Sequence, residues 1–170
     1  VIGNGEHWGV EAELFGGEVK KLHDHLAEKK RTMWMWGDRF LDGKATKIGK
    51  WEASENGTHP AIDNVPKDIV ICDWHYDKAP ETPRHFASKG FGVVSCPWRK
   101  TEAALGELRI QQSLAAGPGP GKALGVLQTT WAPFAKFVKA YDGDTSSFEA
   151  SESARCFMAL FAELRKAEAK

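Results

Sequence analysis

The sequence predicts an α/β fold with parallel strands, arranged as part of a (β/α)8 TIM-type barrel. Four short apolar runs have the length of buried strands, and helical or loop segments separate them. Alternation of this kind implies a parallel sheet with right-handed crossovers. A complete barrel has eight strands in about 250 residues, whereas these 170 residues hold four clear strands and a candidate fifth at Val1–Gly5. We therefore predict that residues 1–170 form a single half-barrel segment.

The predicted strands and helices alternate along the chain. The strands are Thr32–Trp36, Asp68–Asp73, Gly92–Cys96 and Ala123–Thr129. The helices are Glu11–Lys30, a short helix from Thr82 that ends at Gly90, Thr101–Ala115, Pro133–Tyr141 and Ser147–Lys170. Apolar residues at helical spacing predict the first helix, and Gly16-Gly17 is expected to split it. The polar segment 38–67 is predicted to be a long loop on the active face.

Composition excludes several classes of partner. Twenty-three basic residues balance twenty-three acidic ones, so neither nucleic acid nor a charged membrane surface is expected as a partner. No apolar stretch approaches the roughly 18 residues of a membrane span, and no signal peptide is visible. Cys72, Cys96 and Cys156 lack the spacing of a zinc site, and we expect them to be buried thiols.

Four tryptophans stand where the predicted strands end: Trp36, Trp74, Trp98 and Trp131. The carboxyl ends of all barrel strands open onto one face, which carries the chemistry. A single tryptophan there can equally be a core aromatic, but four at equivalent places favour a shared aromatic pocket. Flat indole rings suit the C–H faces of a sugar, so carbohydrate is the expected partner.

Several sequence blocks, read in order, resemble one enzyme family. The blocks are Val1-Ile-Gly-Asn-Gly-Glu6, Trp36-Gly-Asp38, Trp74, Ser95-Cys-Pro-Trp98 and Gly125-Val-Leu-Gln-Thr-Thr-Trp131. Together they resemble glycoside hydrolase family 20, the β-N-acetylhexosaminidases, over Ile2 to Tyr141. The resemblance places the chain at the last four to five β/α units of that family's barrel. It implies substrate-assisted hydrolysis of terminal N-acetylhexosamine residues, with Glu6 as the general acid, no cofactor or metal, and an extracellular or periplasmic location.

The chain departs from the family pattern at three places. Gly5 stands where the family has the aspartate that orients the acetamido group, Trp98-Arg99 replaces a Tyr-x-Asp element, and Ala132-Pro133 follows Trp131 where a glutamate is usual. The aromatic walls are kept while part of the polar set is changed. A catalytically silent carbohydrate-binding barrel remnant is therefore an open alternative.

The remaining candidate residues supply polar groups beside the tryptophans. Asp38 and Asp73 each follow a strand, where a carboxylate can hold a sugar hydroxyl or cap the next turn. Tyr76 can donate to a sugar oxygen, and Arg99 can pair with a carboxylate of the chain or with an anionic ligand group. Glu6 with Asp38 or Asp73 would make a two-carboxylate glycosidase of another barrel family.

A half barrel also has two open sheet edges. We therefore expect either self-association of this chain or an N-terminal half that completes the barrel.

Overall fold

The computed structural model describes residues 6–117 and 122–168. Its strands are β1 (Trp34–Trp36), β2 (Val70–Asp73), β3 (Gly92–Ser95) and β4 (Ala123–Val126). Its helices are α1 (Glu6–Glu28), α2 (Gly43–Thr46), α3 (Thr82–Ser88), α4 (Thr101–Ala115), α5 (Phe134–Tyr141) and α6 (Phe148–Glu168). The four clear strands of the sequence analysis are confirmed, each somewhat shorter than expected. The candidate fifth strand at Val1–Gly5 lies outside the described residues.

The four strands form one parallel sheet in the order β1-β2-β3-β4. In the first pair Trp34 lies opposite Val70 and Trp36 lies opposite Cys72. Each strand therefore neighbours the next one along the chain, as successive β/α units require. The prediction of a parallel α/β fold is confirmed at this level, and the barrel itself stays a prediction.

The chain divides into two compact units. The first unit contains the described residues up to Trp74 together with His85–Val93. The second contains His75–Arg84 and the described residues from Val94 onwards. Each unit is described separately below.

In the first unit, α1 is one continuous helix, so the expected break at Gly16-Gly17 is wrong. The helix packs against a 3-10 turn at His59–Asp63. A Cβ on Gly16 would lie 3.4 Å from the Ala61 Cβ, an ordinary contact distance, so this face of the helix lies directly against the turn. The packing offsets the cost of about 1 kcal/mol that a glycine imposes on a helix interior.

The segment 38–67 of the first unit is folded into short helical turns and is not an extended loop. It contains a 3-10 turn at Asp38–Phe40, the short helix α2, and the 3-10 turn at His59–Asp63. An isolated bridge joins Asp42 and Ser54, while Phe40, Leu41 and Ala61 are buried. A segment of this length within a compact fold is stabilised by burying its own apolar side chains.

The second unit is built around α4, which packs on both β4 and α6. Ala104, Leu108, Cys156 and Leu160 form its core, and α5 packs on α6 through a second cluster of small side chains: Ala132, Ala140, Ala150 and Ala154. Alanines allow the two helices to approach closely. Among the residues described here, no helix has the length and apolar character needed to cross a membrane.

Candidate functional site

In the first unit, a carboxylate and a tryptophan meet beyond the ends of β1 and β2. The Trp74 indole Nε1 donates a hydrogen bond to Asp38 Oδ1 at 3.2 Å. Arg39 Nε donates to the other oxygen, Asp38 Oδ2, and forms an ion pair with it. Arg39 is held in turn by the Trp51 carbonyl, which accepts from Nη2 at 2.9 Å. Asp38 and Trp74, both predicted site residues, are therefore brought together, and Arg39 orients the carboxylate.

Gly37 determines how the chain reaches Asp38. Its N–H donates to the Cys72 carbonyl at 3.0 Å, which extends the pairing of β1 with β2 by one residue. A Cβ at this position would lie 2.6 Å from Ile71 Cγ2 and 2.7 Å from Phe86 Cζ. The backbone can pass this close to β2 and α3 only because the residue is glycine.

The other two predicted site residues of this unit have opposite environments. Trp36 is 46 % exposed at the end of β1, and its strand neighbour Trp34 is also exposed. Asp73, the last residue of β2, is only 2 % exposed. A carboxylate so enclosed faces protein rather than solvent, whereas the Trp36 indole is accessible to a ligand. The structure thus offers Trp36 and Asp38, but not Asp73, at the surface of this unit.

In the second unit, three aromatic residues form one connected group. The Trp131 indole Nε1 donates to the Tyr76 hydroxyl at 2.9 Å, although 55 residues separate them. The Tyr76 ring meets the Trp98 ring edge-on, with centroids 5.2 Å apart. Trp131 is 65 % exposed, so its ring faces remain open to solvent while its polar edge is satisfied. Three of the predicted site residues, Tyr76, Trp98 and Trp131, are therefore in contact in the second unit.

Backbone contacts beyond β3 and β4 hold this aromatic group in place. The Pro97 carbonyl accepts from Thr129 N at 2.8 Å and from Thr129 Oγ1 at 3.1 Å. The Cys156 thiol donates to the Trp98 carbonyl at 2.8 Å. Burial, with a smaller contribution from Glu107, raises the pKa of Cys156 to about 12, so the thiol stays protonated as this bond requires.

Two cationic residues lie at these sites: Arg99 is a candidate from the sequence, whereas Arg39 is not. Arg39 follows directly after the Trp-Gly-Asp block, and its proximity to Asp38 in sequence was the signal that could have found it. Arg99 lies above the Trp98 ring, with the guanidinium carbon 4.4 Å from the ring centroid. Among the described residues of the second unit, no carboxylate pairs with Arg99, and a salt bridge to a carboxylate elsewhere in the chain stays a prediction.

A separate surface cavity of about 190 Å³ lies within the segment 38–67 of the first unit. It is lined by Asp42, Lys44, Ser54, Glu55, Gly57 and His59. His59 Nε2 lies 3.6 Å from Asp42 Oδ2, and the backbone N–H of Lys44 holds the pKa of the Asp42 carboxyl below its usual value. Opposite charges share this cavity, so it has no pronounced preference for a ligand of either sign.

The motif at Ile2–Gly5 lies outside the described residues, as does the side chain of Glu6, the expected general acid. Glu6 is the first residue of α1. Within residues 6–117 and 122–168, no three His, Cys, Asp or Glu side chains are grouped closely enough to hold a metal ion.

No protein-family model matches this chain, and no curated protein sequence matches it. The resemblance to glycoside hydrolase family 20 therefore stays a prediction that rests on the sequence blocks. What the structure adds is local geometry, namely the Asp38–Trp74 pair in the first unit and the Tyr76–Trp98–Trp131 group in the second.

Proposed function

We propose that this chain binds N-acetylhexosamine-containing carbohydrate, as part of a β-N-acetylhexosaminidase-type glycoside hydrolase built on a (β/α)8 barrel. The exposed Trp131 indole is the single observation that carries the binding part of the proposal. Its Nε1–H is already bonded to Tyr76, so its ring is fixed in orientation without any ligand. A rigid apolar ring beside a hydroxyl group is well suited to the C–H face and oxygens of a pyranose.

Asp38 supports the same proposal in the first unit. Arg39 forms an ion pair with its carboxylate and orients it, and the Trp74 N–H donates to one of its oxygens. A carboxylate oxygen has further lone pairs, which can accept from a sugar hydroxyl. The alternative in which Asp38 is the second carboxylate of a two-carboxylate glycosidase stays open, and the separation of the carboxyl groups would decide it. Burial of Asp73 disfavours that residue in the same role.

The hydrolytic part of the proposal rests on the sequence motif that ends in Glu6. As general acid, Glu6 would protonate the leaving oxygen while the substrate's own acetamido group attacks the anomeric carbon. Gly5 stands in place of the aspartate that normally orients that group. A silent sugar-binding protein is the second candidate, and this substitution favours it.

The open edges of the sheet suggest how the barrel would be completed. β1 and β4 are the outer strands, and each carries exposed apolar side chains: Trp34 and Trp36 on β1, and Leu124 on β4. Parallel sheets are normally covered on both faces and leave few such edges. Further strands, from a second copy of the chain or from an N-terminal half, would cover them. Light scattering that finds a stable monomer would exclude self-association.

Binding is tested by tryptophan fluorescence during titration with chitobiose. The fluorescence of the intact chain and of the variant Trp51→Ala should change saturably as chitobiose is added. Trp51 is the control position, because its side chain is exposed (76 %), as that of Trp131 is, but it lies outside the aromatic group. The variant Trp131→Ala should lose this change in fluorescence. Equal binding by both variants would contradict a site at Trp131, and absence of binding in the intact chain would contradict the proposed function.

Hydrolysis is tested with a chromogenic β-N-acetylglucosaminide. Turnover by the intact chain should disappear in Glu6→Gln and persist in Glu13→Gln, a matched change at an exposed glutamate of α1. Binding of chitobiose without turnover by the intact chain would establish the silent alternative. Turnover that survives in Glu6→Gln would refute Glu6 as the general acid.

A further inference from the structure

The guanidinium of Arg99 is a charged group that lies over an aromatic ring. It is held above the Trp98 ring at 4.4 Å, a cation–π contact that orients it without neutralising its charge. Arg84 and Arg155 of the same unit each form an ion pair with a glutamate three residues earlier. Among the described residues, Arg99 has neither a carboxylate partner nor a hydrogen bond to a carbonyl.

Arg99 lies close to the aromatic group, at distances comparable to the size of a sugar ring. Arg99 lies 4.4 Å from the Trp98 ring centre, and the Trp98 ring centre lies 5.2 Å from that of Tyr76. Tyr76 in turn accepts from Trp131 at 2.9 Å. The guanidinium is therefore within about 10 Å of the Tyr76 ring. A sugar bound at the Tyr76 and Trp98 side of this group would have Arg99 beside it.

The chemistry of the guanidinium indicates which substituent that is. Arginine stays charged at all ordinary pH values, and its N–H groups lie around the edge of a flat plane. Contact of the guanidinium with the indole leaves donors on that edge for a second partner. Two parallel N–H groups match the two oxygens of a carboxylate or of a sulfate ester, and such charge-assisted bonds are about twice as strong as neutral ones.

We infer that the second unit recognises an anionic sugar, one that carries a uronate carboxylate or a sulfate ester, and that Arg99 binds this group beside the Trp131 platform. The inference rests on the proposed function, because it assumes that Tyr76, Trp98 and Trp131 bind a sugar ring. It adds the charge of the substrate, which neither the aromatic residues nor the family resemblance specifies. Arg99 is a specificity residue here, and the hydrolytic step does not depend on it.

The test compares ligands that differ only in charge, with the intact chain and calorimetric titration. The probes are a disaccharide of glucuronate and N-acetylglucosamine, its methyl ester, a sulfate ester of chitobiose, and chitobiose itself. One charge-assisted contact at a partly exposed site should make the glucuronate disaccharide bind about tenfold more tightly than its methyl ester. The preference should weaken at 0.5 M salt, since screening acts on the charged ligand alone. The sulfate ester distinguishes the two sources of negative charge.

Two variants locate the effect. Arg99→Gln should bind the glucuronate disaccharide and its ester equally, because the charge-assisted contact is gone. Arg109→Gln is the matched control, because Arg109 is an exposed arginine on α4 of the same unit and should keep the full preference. If Arg99→Gln does not fold, Arg99→Lys retains the charge without the planar fork and should keep only part of the preference.

The outcomes separate this inference from the proposed function. Equal affinity of the intact chain for charged and neutral ligands would overturn the inference and leave sugar binding intact. An equal loss in Arg99→Gln and Arg109→Gln would also overturn it, because it would mean diffuse attraction rather than a site. Failure to bind any of the four probes would refute the proposed function together with the inference.

Discussion

Replacing Gly37 with alanine adds one methyl group at the point where β1 leads into the Asp38–Trp74 pair. The new Cβ would lie 2.6 Å from Ile71 Cγ2 and 2.7 Å from Phe86 Cζ. Ordinary contacts between carbon atoms are about 3.5–4.0 Å, so each overlap is about 1 Å. Ile71 and Phe86 are fully buried, so neither can move aside without disturbing the core of the first unit.

The magnitude follows from two opposing contributions. Overpacking a well-filled core costs about 1–3 kcal/mol. Alanine also restricts the unfolded chain and recovers about 0.4–1 kcal/mol. The backbone at Gly37 has φ −88° and ψ −14°, which alanine adopts without strain. We therefore expect Gly37→Ala to lower the free energy of unfolding by about 1–2 kcal/mol, or the Tm by about 2–8 °C for a chain of this size.

The assay is denaturant unfolding followed by circular dichroism, with Gly17→Ala as the matched control. Gly17 lies inside α1, and a Cβ there would meet nothing within 4 Å. The same substitution should therefore stabilise the helix by about 1 kcal/mol. The reasoning is refuted if Gly37→Ala is as stable as the parent, or if both alanine variants shift stability in the same direction.

Three further predictions concern single side chains. Burial lowers the pKa of His85 below its usual value, so the folded state resists protonation. The free energy of unfolding should therefore fall as the pH drops below about 6.5. In the variant His85→Gln, the free energy of unfolding should depend less on pH between 7.5 and 5. Cys156, with a pKa of about 12, should not react with a thiol reagent at pH 8 until the chain is unfolded, and rapid labelling of the native protein at this residue would contradict its burial. Tyr76→Phe removes the acceptor of the Trp131 N–H. The variant should bind chitobiose about tenfold more weakly, while its Tm should change by less than 2 °C. A large loss of stability would instead mean that the hydroxyl stabilises the fold and does not serve to orient Trp131.

Much of the fold was predictable because it depends on local patterns. The short apolar runs around Val70, Val93 and Val126 predicted strands that the structure contains, and Thr101–Ala115 emerged as a helix with the predicted bounds. Gly90 ends α3 with φ +94°, a conformation that glycine adopts readily. The expected break in α1 was wrong, because the helix continues through both glycines and packs on the turn at His59–Asp63.

The candidate site was predictable only in part. Strand periodicity placed Trp36 and Asp73 at strand ends, but it could not distinguish the exposed indole from the buried carboxylate. Arg39, the residue after Asp38, pairs with that carboxylate, and Arg99 lies over the Trp98 ring; neither contact follows from strand periodicity. Such choices depend on which partner the folded backbone brings within hydrogen-bond reach, and residue type alone does not decide them.

The sequence by itself determined the class of fold and the order of its elements, because side-chain alternation, helix periodicity and turn-forming glycines act over a few residues. It also placed tryptophans at the ends of four strands. Only the tertiary structure decided that Trp131 would be bonded to Tyr76 across 55 residues, that Asp38 would be held by Trp74, and that Arg99 would remain charged above Trp98. Contacts between residues so far apart depend on the path of the whole chain, which no local pattern specifies.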